Sequence, residues 1–97
     1  MPVSIGLFRW TDQGLRNVKD TVTRTRANIS AIEKLGGKVQ VYWTQGRFDL
    51  VTIVEGPIDD ETGSAMSLAV AKAGNARTET LRAFTIDEME RILSKVP

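Results

Sequence analysis

Residues 38–54 read Lys38-Val39-Gln40-Val41-Tyr42-Trp43-Thr44-Gln45-Gly46-Arg47-Phe48-Asp49-Leu50-Val51-Thr52-Ile53-Val54. In the first half Val39, Val41 and Trp43 alternate with Lys38, Gln40, Tyr42 and Thr44, which is the two-residue period of a strand. Phe48 to Val54 is a second run rich in β-branched and aromatic residues. The link Gln45-Gly46-Arg47 leaves room only for a reversal, so the stretch predicts an antiparallel hairpin.

Upstream of the hairpin, Val3 to Trp10 reads as a strand with Val3, Ile5 and Leu7 on one face and Gly6, Phe8 and Trp10 on the other. Apolar groups on both faces imply that both are covered. Thr11-Asp12-Gln13-Gly14 supplies N-cap chemistry, and Leu15, Val18, Val22, Ile29 and Ile32 recur at helical steps down to Leu35, where Gly36-Gly37 stops the helix. The β-branched run Thr21-Val22-Thr23 lowers helix propensity and predicts a kink or a short first segment.

Downstream, Gly56-Pro57 ends the hairpin, and Asp59, Asp60 and Glu61 stand where a helix start favours negative charge. Ser64 to Lys72 continues as a helix to a Gly74-Asn75 stop. Ala76 to Phe84 reads as the last strand, and Thr85-Ile86-Asp87-Glu88 is a capping box opening a short helix through Val96. The order β-α-β-β-α-β plus a terminal helix is the split βαβ pattern. It predicts one α+β, ferredoxin-like domain over residues 1–97, with a four-stranded antiparallel sheet and two helices on one face. Phe8, Trp10, Tyr42, Val51, Ile53 and Phe84 cannot all share the covered side with Val39, Val41, Leu50 and Leu81. Large apolar groups are therefore expected on the bare side, as an interface or a ligand cleft.

Ninety-seven residues make one domain. A chain of that size hides only about 60–65% of its unfolded surface, so a homodimer is expected, with a higher oligomer left open. Thirteen Lys and Arg against twelve Asp and Glu leave a net charge of +1, too small and too interspersed for a phosphate-tracking surface; nucleic acid is not an expected partner. No stretch reaches bilayer length and the N-terminus MPVSIGLFRW lacks a leader pattern, so no membrane partner and a cytoplasmic location are expected. The chain has no Cys and no His. That removes disulfides, thiol catalysis, thiolate and imidazole metal ligation, and the commonest neutral-pH base. Chemistry is left to carboxylates, Arg, Lys, Tyr and the backbone, and no cofactor is expected.

Three separated motifs, Thr11-Asp12-Gln13-Gly14-Leu15 with Asn17, Lys19 and Asp20, then Thr44-Gln45-Gly46-Arg47-Phe48-Asp49, then Gly74-Asn75-Ala76-Arg77-Thr78-Glu79-Thr80-Leu81-Arg82-Ala83-Phe84, together resemble the GYD domain family. The likeness runs nearly end to end. It departs from the family's Gly-Tyr-Asp motif in having Arg47-Phe48 between Gly46 and Asp49, which removes a phenol hydroxyl. The resemblance implies a dimeric α/β-barrel arrangement, in which two ferredoxin-like sheets face each other. It assigns no activity, since that architecture hosts enzymes and ligand-sensing modules alike.

Asp49, a carboxylate entering an apolar sheet after a Gly turn, is a candidate base or ligand anchor, or else a turn cap or a partner for Arg47. On the last strand Arg77 and Glu79 share one face, while Thr78, Thr80 and Arg82 share the other. The second set is a candidate grip for a carboxylate or phosphate, or else a charge-paired edge. Trp10 and Trp43 are candidates to stack on a planar ligand, or else core. Asp12 argues against an anion at the Thr11-Asp12-Gln13-Gly14 helix start. Asp59-Asp60-Glu61 lacks the spacing of a cation loop, so no metal site is expected. Three readings remain: a homodimeric module holding a small anionic organic ligand between its sheets, a cofactor-independent enzyme using Asp49 with Tyr42 or an Arg, and an assembly protein without a ligand.

Overall fold

A computed structural model describes residues 2–97. Strand β1 (Val3–Trp10) leads into helix α1 (Asp12–Arg16), a 3-10 turn (Val18–Asp20) and helix α2 (Thr21–Lys34). The hairpin β2 (Lys38–Trp43) and β3 (Leu50–Glu55) follows, then helix α3 (Asp60–Ala73), strand β4 (Ala76–Ala83) and helix α4 (Ile86–Ser94). The strands form one open sheet in the order β2-β3-β1-β4, each neighbouring pair antiparallel.

Local chemistry accounts for most of the element ends. Thr11 caps α1 by accepting from the Gly14 N–H, Asp59 caps α3 by accepting from the Thr62 N–H, and Thr85 and Glu88 close a reciprocal capping box on α4. Gly74 ends α3 at φ 85°, a left-handed conformation that residues with a Cβ rarely adopt. The expected weak point in the first helical stretch exists but lies earlier than Thr21-Val22-Thr23. The chain breaks at Asn17 and the 3-10 turn, and Thr21 already belongs to α2. At its other end α1 is tied to the start of β4, where the Thr11 N–H donates to the Asn75 carbonyl at 3.2 Å and the Thr11 hydroxyl donates to the Gly74 carbonyl.

Register decides which face each residue serves. Trp43 pairs with Leu50, Leu50 with Phe8, Phe8 with Thr78, and Trp10 with Ala76. This set lies on the helix side, where the Trp43 indole N–H donates to the Thr21 hydroxyl at 3.1 Å, and Leu50 and Ala76 are buried. The opposite set carries Ile5 across from Ile53 and Leu81, and Leu7 across from Val51, which in turn faces Tyr42. No helix covers it. The large apolar residues therefore sort cleanly, with Phe8 and Trp10 joining Val39, Val41 and Leu50 under the helices while Tyr42, Val51, Ile53 and Leu81 stand on the bare face. Phe84 lies past the end of β4 and is 53% exposed.

The protomer is open in a second respect. Helix α4 leaves Ile86, Met89 and Leu93 exposed and has no extensive packing against another element, its tie to the sheet being the Arg82–Glu88 pair. The radius of gyration is 14.7 Å, against roughly 12.5 Å for a compact chain of this length. The accessible surface is 7141 Å², roughly 1,600 Å² more than a free-standing protein of this mass shows. No helix among the described residues is long and apolar enough to cross a membrane.

Candidate functional site

The bare face has an apolar middle and a polar border. Val3, Ile5, Leu7, Val51 and Ile53 are half-buried along its centre, with Leu81 beside them. The face is hollowed at the end where β1, β4 and the β2–β3 loop meet. There Leu7, Arg9, Arg47, Phe48, Arg77, Thr78 and Glu79 line a hollow of about 160 Å³.

Backbone bonds fix this corner. The loop is pinned by the Thr44 N–H to the Asp49 carbonyl at 2.9 Å and by the Asp49 N–H to the Phe8 carbonyl at 2.8 Å, while the Thr44 hydroxyl donates to the Phe48 carbonyl at 2.7 Å. Gly46, at φ 119°, supplies a turn that a residue with a Cβ would adopt only under strain. Phe48 is thereby brought beneath Arg9, whose guanidinium carbon lies 5.0 Å from the ring centroid, within cation–π range. Arg9 and Arg77 are direct cross-strand partners on the bare face. Among the described residues the ion pair within 4.0 Å is Arg82–Glu88, elsewhere in the molecule.

The residues singled out from the sequence do not converge at one point. Asp49 is half-buried, and its Oδ2 accepts the Trp10 N–H at 2.9 Å, so it clamps the end of β1. Tyr42 is on the bare face, 58% exposed, on edge strand β2. Trp10 lies on the helix side. Thr78, Thr80 and Arg82 pair with Phe8, Gly6 and Ser4, which places that parity on the helix side too. Arg82 is already engaged: it donates to the Val3 carbonyl at 3.2 Å and to the Ala83 carbonyl, pairs with Glu88 at 3.4 Å, and lies over the Phe84 ring. The arginines that do converge are Arg9, Arg47 and Arg77. The strand alternation held the signal for Arg77, but placing it opposite Arg9 required the β1–β4 register.

A second hollow, of about 390 Å³, lies on the helix side between α2 and β2, lined by Val22, Thr25, Arg26, Ile29, Val41 and Trp43. It offers apolar walls and one arginine. The carboxylates of Asp59-Asp60-Glu61 do not form a cluster fit for a metal ion, and none of the described residues does. The Asp59 carboxyl is held below its ordinary range chiefly by the Thr62 backbone N–H.

The fold and the corner together define a class: a small α+β domain with one sheet face covered by helices and the other open, apolar and bordered by arginines. The chain belongs to the GYD domain family, whose model matches residues 5–93. No curated protein and no solved structure matches it.

Proposed function

We propose that the protein works as a homodimeric ligand-binding module. Two ferredoxin-like protomers bring their open faces together, in the manner of a dimeric α/β barrel, and enclose a cleft for a small organic anion. The observation that carries this reading is the uncovered face centred on Ile5, Leu7, Val51 and Ile53. The surplus accessible surface of the protomer, roughly 1,600 Å², falls within the 1,000–2,500 Å² that each subunit of an obligate homodimer buries. A contiguous apolar patch of that kind is costly to leave in water and marks a contact surface.

Binding is favoured over catalysis because the best candidate base is occupied. Asp49 accepts a main-chain N–H at the end of β1, and Tyr42 stands on β2, separated from β1 by β3. Light scattering at micromolar concentration tests the dimer. The expected mass is twice 10.7 kDa, and Val51→Glu, in the middle of the bare face, reduces it to the monomer while Leu68→Glu, on exposed α3, does not. A wild-type monomer would sink the proposal.

A further inference from the structure

The geometry points to a specific anion-recognition site at one end of this cleft. Arg9, Arg47 and Arg77 grip a carboxylate or phosphate there, and Phe48 with Leu7 receives the body of the molecule that carries it. The inference deepens the reading of the open face as a ligand cleft and rests on it.

Its first support is an arrangement that folding alone disfavours. Like charges directly across a strand pair are destabilising, yet Arg9 and Arg77 face each other in register. Neither has a carboxylate within 4.0 Å among the described residues. Arg47, from the loop, adds a third positive charge to the same hollow. Glu79, opposite Leu7, is the one acid lining it; it sits diagonal to Arg9 and forms no ion pair with the three. An anion entering here meets uncommitted guanidinium groups, whose planar forks match carboxylate and phosphate oxygens two at a time.

The second support is shape. A hollow of about 160 Å³ is comparable to a cavity of about 150 Å³ that accepts benzene, so it has room for one ring or a short aliphatic body. The Phe48 ring forms an apolar wall and holds the Arg9 guanidinium over its face, which leaves less side-chain freedom to be lost on binding. The third support is that Arg82, the other arginine of β4, is already held by Glu88 and two carbonyls. The free and the engaged arginines of that strand thus point to different tasks.

Calorimetric titration of the full chain with phenyl phosphate, inorganic phosphate and benzyl alcohol at low ionic strength tests the site. Phenyl phosphate is expected to bind at least tenfold more tightly than either of the others. Arg9→Gln and Arg77→Gln each weaken it at least fivefold, and Arg82→Gln leaves it unchanged. Without ligand, Arg77→Gln holds or raises the melting temperature, because it relieves the facing charges. Equal binding of benzyl alcohol and phenyl phosphate, wild-type affinity in the Arg9 and Arg77 variants, or a clear fall in the ligand-free melting temperature would each overturn the site. Inorganic phosphate binding as tightly as phenyl phosphate would overturn the role of Phe48 and Leu7. Light scattering on the same samples separates the two proposals: a monomer that binds through these arginines refutes only the dimer, and a dimer that fails to bind refutes only the site.

Discussion

The Asp49 carboxylate accepts a hydrogen bond from the main-chain N–H of Trp10, 2.9 Å away and 39 residues earlier in the chain. It ties the β2–β3 loop to the end of β1, where the ladder between those strands has already stopped at the Phe8–Leu50 pair. Asp49→Ala leaves that N–H without its partner and is expected to cost about 1–2 kcal/mol. Asp49→Asn keeps an acceptor oxygen and costs less. Chemical denaturation measures both. A gain in stability on either substitution would show that the carboxylate is held there at a cost, as functional groups are, and would return Asp49 to the list of site residues.

Gly14 carries a different kind of constraint. A Cβ at this position would collide with the main-chain carbonyl oxygen of Asn75, and a backbone atom cannot rotate away as a side chain does. Alanine favours a helix over glycine by about 1 kcal/mol, so propensity alone predicts that Gly14→Ala stabilises α1. Steric overlap is expected to win, with a net loss of about 3 kcal/mol and a fall in melting temperature of roughly 10 °C or more. An unchanged melting temperature would mean that α1 does not sit against the start of β4.

The hairpin, the caps at Thr11 and Thr85, the acidic start of α3 at Asp59 and the glycine stop at Gly74 are legible because each depends on neighbours a few residues away. What escaped local reading depends on distant pairing. The break comes at Asn17, whose side-chain amide donates to the Asn75 side chain 58 residues away, and no run of propensities at Thr21-Val22-Thr23 encodes it. Alternation along β4 separates Arg77 and Glu79 from Thr78, Thr80 and Arg82, but it does not say which set faces the helices. The anion grip expected from the sequence lies on the second set. The register of β4 on β1, together with the seating of α2 over Val41 and Trp43, puts that set on the covered side and leaves Arg77 on the open one. A strand with apolar residues of both parities, such as β1, reveals that both faces are used and not which partner covers each.

Helix α4 offers a test of how independently an element can behave. Thr85 and Glu88 cap it reciprocally, with the Glu88 N–H donating to the Thr85 hydroxyl at 3.1 Å and the Thr85 N–H donating to the Glu88 carboxylate at 3.0 Å. Thr85→Ala removes a cap worth about 1 kcal/mol to the helix. Since α4 packs so little on the rest of the protomer, the loss is expected to stay local: amide exchange within residues 86–94 quickens by roughly fivefold, while the exchange of β1 and β3 amides is unchanged. Equal acceleration in the sheet would show that α4 is held by contacts beyond its own protomer or its own cap.

Acid should act on the same helix and on α3 through two carboxylates. Asp59 and Glu88 titrate below their ordinary values of 3.8 and 4.5, chiefly because the backbone N–H of Thr62 and that of Thr85, respectively, bond to the charged form. The unfolded chain therefore takes up protons at a higher pH than the folded one. The stabilisation they supply is complete above the unfolded values and is lost as pH falls through the folded ones. The melting temperature is accordingly expected to be flat from about pH 8 to 5, a range in which the chain has no histidine or cysteine to titrate, and to fall below about pH 4.5. Asp59→Asn should flatten part of that acid fall in the global unfolding curve. Glu88→Gln should instead flatten the acid dependence of helical signal from α4 and leave the sheet's unfolding as it was. Stability that rises on acidification from pH 5 to 3 would reverse the sign of the argument, and would mean that the two carboxylates are destabilised by folding and not held by their caps.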